Sequence, residues 1–391
     1  MDGETSQRWQ VELEAAEAAF ARGRFEPVLE QLTPPLLAPD SGATPAQRLA
    51  AQMLRLRSLG KFDRFEAMLD AAHAALALAP PEPSRLRAEL LALMSFAYNH
   101  GGLCEPALHA AQLALRDALA LDETDLAALA LERFAMAYLW MGDATGAERY
   151  MLEALGFQRQ SEPRPRDLLR YSNALHLACT LYDARVTQDE AGAHAQLLRF
   201  ARFTTEGDRL AAGEVPDYVR GQWRGNRLRW QRRRGQPAST EAPLRELLAQ
   251  AIERGWLILA LALRLELALL LETQQRPAEA AVLCEELLQA GGPELRRQLW
   301  LRTLITLLRL RRRLGEDAAA DRVQAELEAA EARRQAEAAR LRQRLAELDL
   351  QLIKLLAEAD RARLSGEIRR LRERRDEGQA LRLPGCDWLP A

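Results

Sequence analysis

One stretch of the chain concentrates side chains that could bind a charged ligand. Residues 220–234 contain seven arginines, no acidic residue, and Trp223 and Trp230 one heptad apart. Guanidinium groups can grip carboxylates and phosphates in a bidentate manner, and tryptophan can stack on bases. The pattern predicts a site for an acidic peptide, a chain-terminal carboxylate, an anionic small ligand or, less well, nucleic acid. The same arginines could equally be solvated or paired with glutamates of adjacent helices.

Histidine and cysteine form two loose groups that fall short of a metal site. His100, Cys104 and His109 are close in sequence, but a glycine turn separates the first from the others. His176 and Cys179 lie one helical turn apart, and neither group has a fourth ligand. The sequence also has no HExxH motif, nucleophile elbow or glycine-rich phosphate loop. We therefore expect no metal, no cofactor and no enzymatic activity.

The composition is that of an ordinary soluble protein. The chain has 391 residues, 48% of them hydrophobic, and a formal net charge of -2, which argues against general attraction to nucleic acid or anionic membranes. The chain begins with an acidic, polar segment, and its most apolar stretch, from Trp256 to Leu271, is too short to span a bilayer. Four widely spaced cysteines fit a reducing compartment. We expect a cytoplasmic protein.

Recurrent glycine turns position these residues. An apolar helix ends, a turn follows, and a second helix rich in small residues begins, roughly every 40 residues, which is the range of helix-pair repeats. Gln275-Arg276-Pro277 and Asp183-Ala184-Arg185 stand in for two turns that lack glycine. The glycines of the other turns are Gly23, Gly60, Gly102, Gly142, Gly235 and Gly315. The pattern predicts an all-α protein of about eight helix pairs over residues 8–328.

The clearest copy runs from Ala137 to Asp143 and continues through Ala147, Tyr150 and Ala154. An aromatic residue near the end of helix A, a Gly-Asp turn, and small and aromatic residues along helix B resemble the tetratricopeptide repeat. The resemblance implies a right-handed α-solenoid that binds proteins or peptides, with helix A of each pair on the concave surface.

Counting back from the turns places a set of side chains on that concave surface. We expect an aromatic first half and an arginine-rich second half, although such residues could also be core packing between repeats. The candidate partner-binding residues are Asn99, Trp140, Tyr171, His176, Gln222, Asn226, Arg229, Arg233 and Arg309. The same count turns Phe96, Met136 and Arg302 inward.

Beyond the repeats, residues 329–378 read as one long helix and residues 379–391 as an irregular tail. Leucines at alternating steps of four and three form an a/d seam that is typical of a coiled coil. They are Leu341, Leu345, Leu348, Leu352 and Leu355. We expect this helix to dimerise the chain; the alternative is that it folds back as a cap on the solenoid.

Repeats followed by a heptad helix resemble the sensory region of bacterial diguanylate cyclase-type signalling proteins, here without a GGDEF-type output sequence. The resemblance implies a free-standing scaffold or regulatory adaptor, homodimeric, whose protein or peptide partner carries acidic groups. Two alternatives stay open. One is a sensor of a small anionic ligand or signalling peptide, and the other is a nucleic-acid-associated regulator.

Overall fold

The computed structural model describes residues 3–336, except 34–36, 39, 63, 80–81, 159–166, 236–239, 292–296 and 334. Within these residues the chain forms seventeen α-helices and no strand, which confirms the all-α prediction. They belong to one compact unit, Met1–Ala336. The predicted coiled-coil leucines, from Leu341 to Leu355, lie outside the described residues, so the predicted dimerisation stays a prediction.

Sixteen of the helices form eight consecutive A/B pairs, which confirms the predicted number. The first four pairs are α1 (Gly3–Ala21) with α2 (Phe25–Gln31), α3 (Pro45–Leu59) with α4 (Phe65–Leu78), α5 (Arg85–His100) with α6 (Cys104–Ala120), and α7 (Thr124–Met141) with α8 (Ala144–Gln158). The other four are α9 (Asp167–Arg185) with α10 (Glu190–Arg199), α12 (Asp217–Arg233) with α13 (Glu241–Glu253), α14 (Leu257–Thr273) with α15 (Pro277–Gly291), and α16 (Arg297–Arg313) with α17 (residues 317–333). The short α11 (Ala201–Ala211) follows α10 outside the pairing, and the sequence analysis missed it.

Most turns inside the pairs contain a left-handed residue because helix A must stop abruptly, whereas Gly60 of the second pair is right-handed, with φ -64°. Gly142 has φ 83°, and the amide of Asp143 then donates to the carbonyl of Tyr138 at 3.0 Å. Gln275 takes the same conformation, with φ 62°, which confirms that it stands in for glycine. The prediction that Asp183-Ala184-Arg185 forms the other turn without glycine is wrong. Asp183 lies within α9, and the turn comes only after Arg185.

Small or short side chains let helix B approach helix A after six of the turns, whereas the equivalent residue after Gly60 is the half-buried Phe65. The four alanines that follow their turn residue by five positions, Ala107, Ala147, Ala280 and Ala320, are buried. Thr240 and Val28 occupy the equivalent places and are also buried. These contacts are close packing, which leaves no room for larger side chains.

The first two pairs contact the sixth and seventh. The ring of Phe25 in α2 packs edge-on against Tyr218 in α12, with centroids 5.1 Å apart. Tyr218 in turn packs against Trp256, and the Lys61 ammonium lies 4.7 Å from the Tyr218 ring centroid. The array therefore curves far enough for its beginning to contact its second half, around the face that the A helices share.

Across the part of the chain that the structure describes, no helix combines the length and the apolar character that a membrane span requires.

Candidate functional site

A cavity of about 140 Å³ lies among the A helices. It has room for on the order of ten water molecules, enough for part of a peptide or a small ligand. Each A helix from the third pair to the eighth contributes to its wall, as the repeat alignment predicts for the inner face. The lining residues are Phe96, His100, Arg133, Met136, Asn173, His176, Gln222, Gly225, Asn226, Arg229, Ile258, Leu259, Ala262, Leu263, Glu266, Leu299 and Arg302.

The wall of the cavity has an apolar and a polar side. The apolar side comes largely from α14, where Ile258, Leu259 and Leu263 precede a single carboxylate. Gly225 of α12 faces Leu259 and Leu263, and a Cβ there would already be 3.4 Å from both leucine side chains. Amide, imidazole and guanidinium groups of α9, α12 and α16 form the polar side. Such a wall suits a ligand with both apolar and hydrogen-bonding groups.

At the polar end, one buried carboxylate is surrounded by four arginines. Glu266 is 2% exposed, and its Oε1 lies 2.6 Å from Arg229 Nε and 3.2 Å from Arg302 Nη2. Its Oε2 lies 3.1 Å from both Arg232 Nη2 and Arg233 Nη1. Arg233 and Arg302 also bind the second carboxylate of the group, Asp183. We call these six residues the arginine cluster: Asp183, Arg229, Arg232, Arg233, Glu266 and Arg302.

The electrostatics of the cluster keep its carboxylates ionised. Burial alone would raise the pKa of Glu266, but attraction by Arg233, Arg229, Arg232 and Arg302 holds it well below its ordinary value. Burial lowers the pKa of the Arg229 guanidinium, and repulsion by neighbouring arginines adds to that effect. Four guanidinium groups share two carboxylates, so the cluster carries an excess of positive charge beside the cavity.

Hydrogen bonds between neighbouring A helices hold the polar side in place. Asn226 Nδ2 of α12 donates to Ser172 Oγ of α9 at 2.9 Å. Arg229 Nη1 donates to His176 Nδ1 at 2.6 Å and to Asn226 Oδ1 at 3.2 Å. Because arginine can only donate, Nδ1 accepts this hydrogen bond, and the contact therefore requires a neutral His176 with its own proton on Nε2.

The structure brings four of the predicted binding residues to the cavity wall: His176, Gln222, Asn226 and Arg229. It places the remaining ones elsewhere. Asn99 and Trp140 are buried and do not line the cavity. Arg233 is also buried, and it belongs to the arginine cluster and not to the cavity lining. Arg309 is partly exposed and pairs with Glu272. None of these placements tests whether a residue binds a partner, and that role stays a prediction.

Tyr171 corrects the sequence-based placement most clearly. It is 2% exposed and stacks on Phe203 of α11, with ring centroids 5.7 Å apart. The sequence analysis could not assign it to the core because it missed α11, the helix against which it packs.

The arginines of α12 outside the cavity are largely engaged within the protein. Arg220 pairs with Asp217 at 3.0 Å, Arg227 pairs with Asp208 at 3.2 Å, and the guanidinium of Arg234 lies 4.8 Å from the Trp230 ring centroid. Trp223 is buried and donates to Asp208 at 3.0 Å. The arrangement agrees with the alternative in which these arginines pair with neighbouring acids.

Glu266 and Asp183 are the site residues that sequence reasoning missed. Glu266 is the single acid in the apolar segment 257–271, and that isolation is a usable signal, because a buried carboxylate needs cationic partners. Asp183 gave no such signal, since it resembled a turn residue. His100, a member of one of the two loose histidine and cysteine groups in the sequence, lines the cavity and stacks on Phe65, with ring centroids 5.3 Å apart.

No protein-family model and no curated protein matches the chain. Among solved structures, it is similar to the crystal structure of a Rap protein complexed with competence and sporulation factor. The TM-score is 0.51 at 14% identity, and the match covers 94% of this chain and 99% of that chain. At such low identity the likeness concerns the fold, and it supports a helical-repeat solenoid.

Proposed function

We propose that this chain is a non-enzymatic regulator that binds a peptide, or a flexible segment of a partner protein, in the cavity enclosed by its A helices. The observation that carries the proposal is the convergence of six A helices, from the third pair to the eighth, on one cavity. A static scaffold would not need its repeats to converge in this way. A ligand that touches all six helices can change their mutual packing, which is how a repeat array can report binding.

The two-sided wall supports a peptide ligand. Leu259, Leu263 and Leu299 offer a surface for an apolar side chain. Gln222 and Asn226 carry amide groups that can pair with a peptide main chain. The similar solved structure is a Rap protein complexed with competence and sporulation factor, and this agrees with a binding role for the fold.

Selection from a library of short random peptides on the immobilised full chain tests the proposal. Selected peptides are titrated against Ala262→Trp, which places an indole inside the cavity. The control is Ala278→Trp at the exposed start of α15. We expect Ala262→Trp to weaken binding by at least about tenfold, because the indole occupies the space of the ligand. Failure to select any peptide, or equal binding by both variants, contradicts the proposal.

From the resemblance of its repeats and heptad helix to bacterial sensory regions, we propose that the regulator acts in bacterial signalling. From the heptad pattern alone, we further propose that residues 329–378 dimerise it. The support is the a/d seam from Leu341 to Leu355. Light scattering compares the full chain with a version ending at Leu327, and we expect a dimer and a monomer. Two monomers would contradict the dimer.

A further inference from the structure

The charge balance of the arginine cluster indicates the charge of the ligand that the cavity would bind. Its four guanidinium groups share two carboxylates. Glu266 already contacts all four arginines, so it has little capacity for a cationic ligand. Like charges held together in a poorly solvated site repel, and an added anion relieves that repulsion.

Two arginines of the cluster, Arg229 and Arg232, have buried donors without a hydrogen-bond acceptor among the described residues, and of the two it is Arg229 that lines the cavity. Arg229 is 4% exposed and lines the cavity. Its Nη1 bonds His176 and Asn226, and its Nε faces Glu266. Its buried Nη2, however, has no hydrogen-bond acceptor among the residues that the structure describes. A buried donor without an acceptor costs about 1–3 kcal/mol, which an incoming acceptor can recover.

A second arginine reaches the same wall from the opposite helix. Arg302 of α16 lines the cavity, and its side chain is 20% exposed, so it is the more accessible cation of the two. Leu299, one turn earlier on α16, and Leu259 and Leu263 of α14 lie on the same wall. The cationic end of the cavity is therefore continuous with its apolar side.

We propose that the arginine cluster binds the carboxylate of the ligand through Arg229 and Arg302, while an apolar group next to that carboxylate lies against α14. This inference rests on the proposed function and specifies the ligand as an apolar group that carries a carboxylate. A peptide ending in an aliphatic residue and a free branched carboxylic acid share this chemistry.

The probes are N-acetyl-leucine, its amide, 4-methylpentanoate and inorganic phosphate, each titrated against the full chain by ligand-observed NMR. For a ligand as small as N-acetyl-leucine we expect a Kd on the order of 1 mM. The amide should bind at least about tenfold more weakly, because it brings no charge to the arginines. If 4-methylpentanoate binds as well as N-acetyl-leucine, a free acid suffices; weaker binding indicates a peptide terminus.

Variants on a single helix separate the cluster from general charge effects. Arg302→Gln should weaken N-acetyl-leucine binding by about tenfold or more. Arg312→Gln, nearly three turns along α16 and hydrogen-bonded to Gln324 outside the cavity, should leave it unchanged. Arg229→Lys keeps the charge and removes Nη2, so it should also weaken binding even if a neutral replacement of Arg229 fails to fold.

Equal binding of the acid and the amide, absence of binding by both, or tighter binding of phosphate would overturn the carboxylate assignment. The proposed function has a test that is separate from the test of the carboxylate assignment. Peptides that lose affinity in Ala262→Trp but not in Arg302→Gln would keep the cavity as the binding site and remove the arginine cluster from recognition.

Discussion

The fourth helix pair and the arginine cluster show two ways in which one repeat architecture uses its buried space. In the fourth pair, Phe134 and Tyr138 of α7 pack on Tyr150 of α8, with ring centroids 5.4 Å and 5.1 Å apart. These contacts join residues close in sequence, and apolar burial stabilises them. In the cluster, the contacts join residues that are far apart in the sequence. Arg233 and Glu266 are 33 positions apart, and Asp183 and Arg302 are 119 positions apart.

The difference teaches where function resides in this chain. Apolar packing accounts for the contacts inside a pair, as α7 and α8 show. A buried ionic cluster seldom stabilises a protein more than apolar residues of the same volume would. A gain in stability is therefore a weak explanation for the arginine cluster, and variants in the two regions separate its energetic role from that of apolar packing.

The largest expected effect is that of Glu266→Gln. The glutamine has nearly the same shape but removes the negative charge shared by four buried arginines. Leaving buried charges without their partner costs about 3–5 kcal/mol, and we expect this decrease in the free energy of unfolding. Urea denaturation followed by circular dichroism measures it.

Glu286→Gln is the matched control. Glu286 is 52% exposed and lies 3.9 Å from Arg264, so its loss should change the free energy of unfolding by less than about 0.5 kcal/mol. Similar effects of the two variants would mean that the cluster has no special energetic role.

The stability of the wild type should also depend on pH through Glu266. Its pKa lies well below the ordinary value of 4.5 in the folded state, because the cluster arginines offset the effect of burial. A lowered folded-state pKa stabilises the protein above the unfolded-state value, and this contribution is lost as the pH falls below it. We expect the urea midpoint to fall more steeply with acidification in the wild type than in Glu266→Gln. Parallel pH profiles would contradict this.

The next effect is coupling within the cluster. Arg302→Gln removes contacts to both Asp183 and Glu266 in the wild type, whereas in Glu266→Gln it removes one of four cations that are left with a single carboxylate, Asp183. We expect the double variant to be more stable than additivity predicts, by about 1–3 kcal/mol. Phe134→Leu combined with Glu266→Gln is the control, and these two changes should add within about 0.5 kcal/mol. If the effects of Arg302→Gln and Glu266→Gln on the free energy of unfolding are additive, the proposed sharing of charge is contradicted.

The same contrast explains what could be predicted from the sequence. Glycine turns and alanines at fixed distances predicted the helix pairs, because those signals act within one repeat. His176, Asn226 and Arg229 lie on the cavity wall, whereas Asn99 and Trp140, which were counted in the same way from Gly102 and Gly142, do not line it. Asp183 and the packing of Tyr171 on α11 were missed because they depend on contacts between repeats, which local patterns do not encode.

A smaller effect is expected at the turn of the fourth pair. Gly142 has φ 83°, and Gly142→Ala forces a Cβ into the left-handed region at about 1–2 kcal/mol. The control is Gly156→Ala, an exposed position in α8 with no atom within 4 Å of the new Cβ. Alanine should stabilise that helix by up to about 1 kcal/mol. Destabilisation at both sites would mean that the turn geometry is not the cause.

The smallest effect is expected at the equivalent turn of the seventh pair. Gln275 has φ 62°, and the amide of Arg276 donates to the carbonyl of Leu271 at 3.0 Å, as at Gly142. Gln275→Gly relieves about 1 kcal/mol of backbone strain but gives the unfolded chain more freedom and removes the bond from Arg313 Nη2 to Gln275 Oε1.

We expect a net gain below about 1 kcal/mol for Gln275→Gly and none for Gln275→Ala, which keeps the Cβ. Thermal unfolding of the two variants measures the difference. A loss of stability in Gln275→Gly would show that the contact with Arg313 of the next pair outweighs the strain. A contact between neighbouring pairs would then outweigh local backbone strain at this turn.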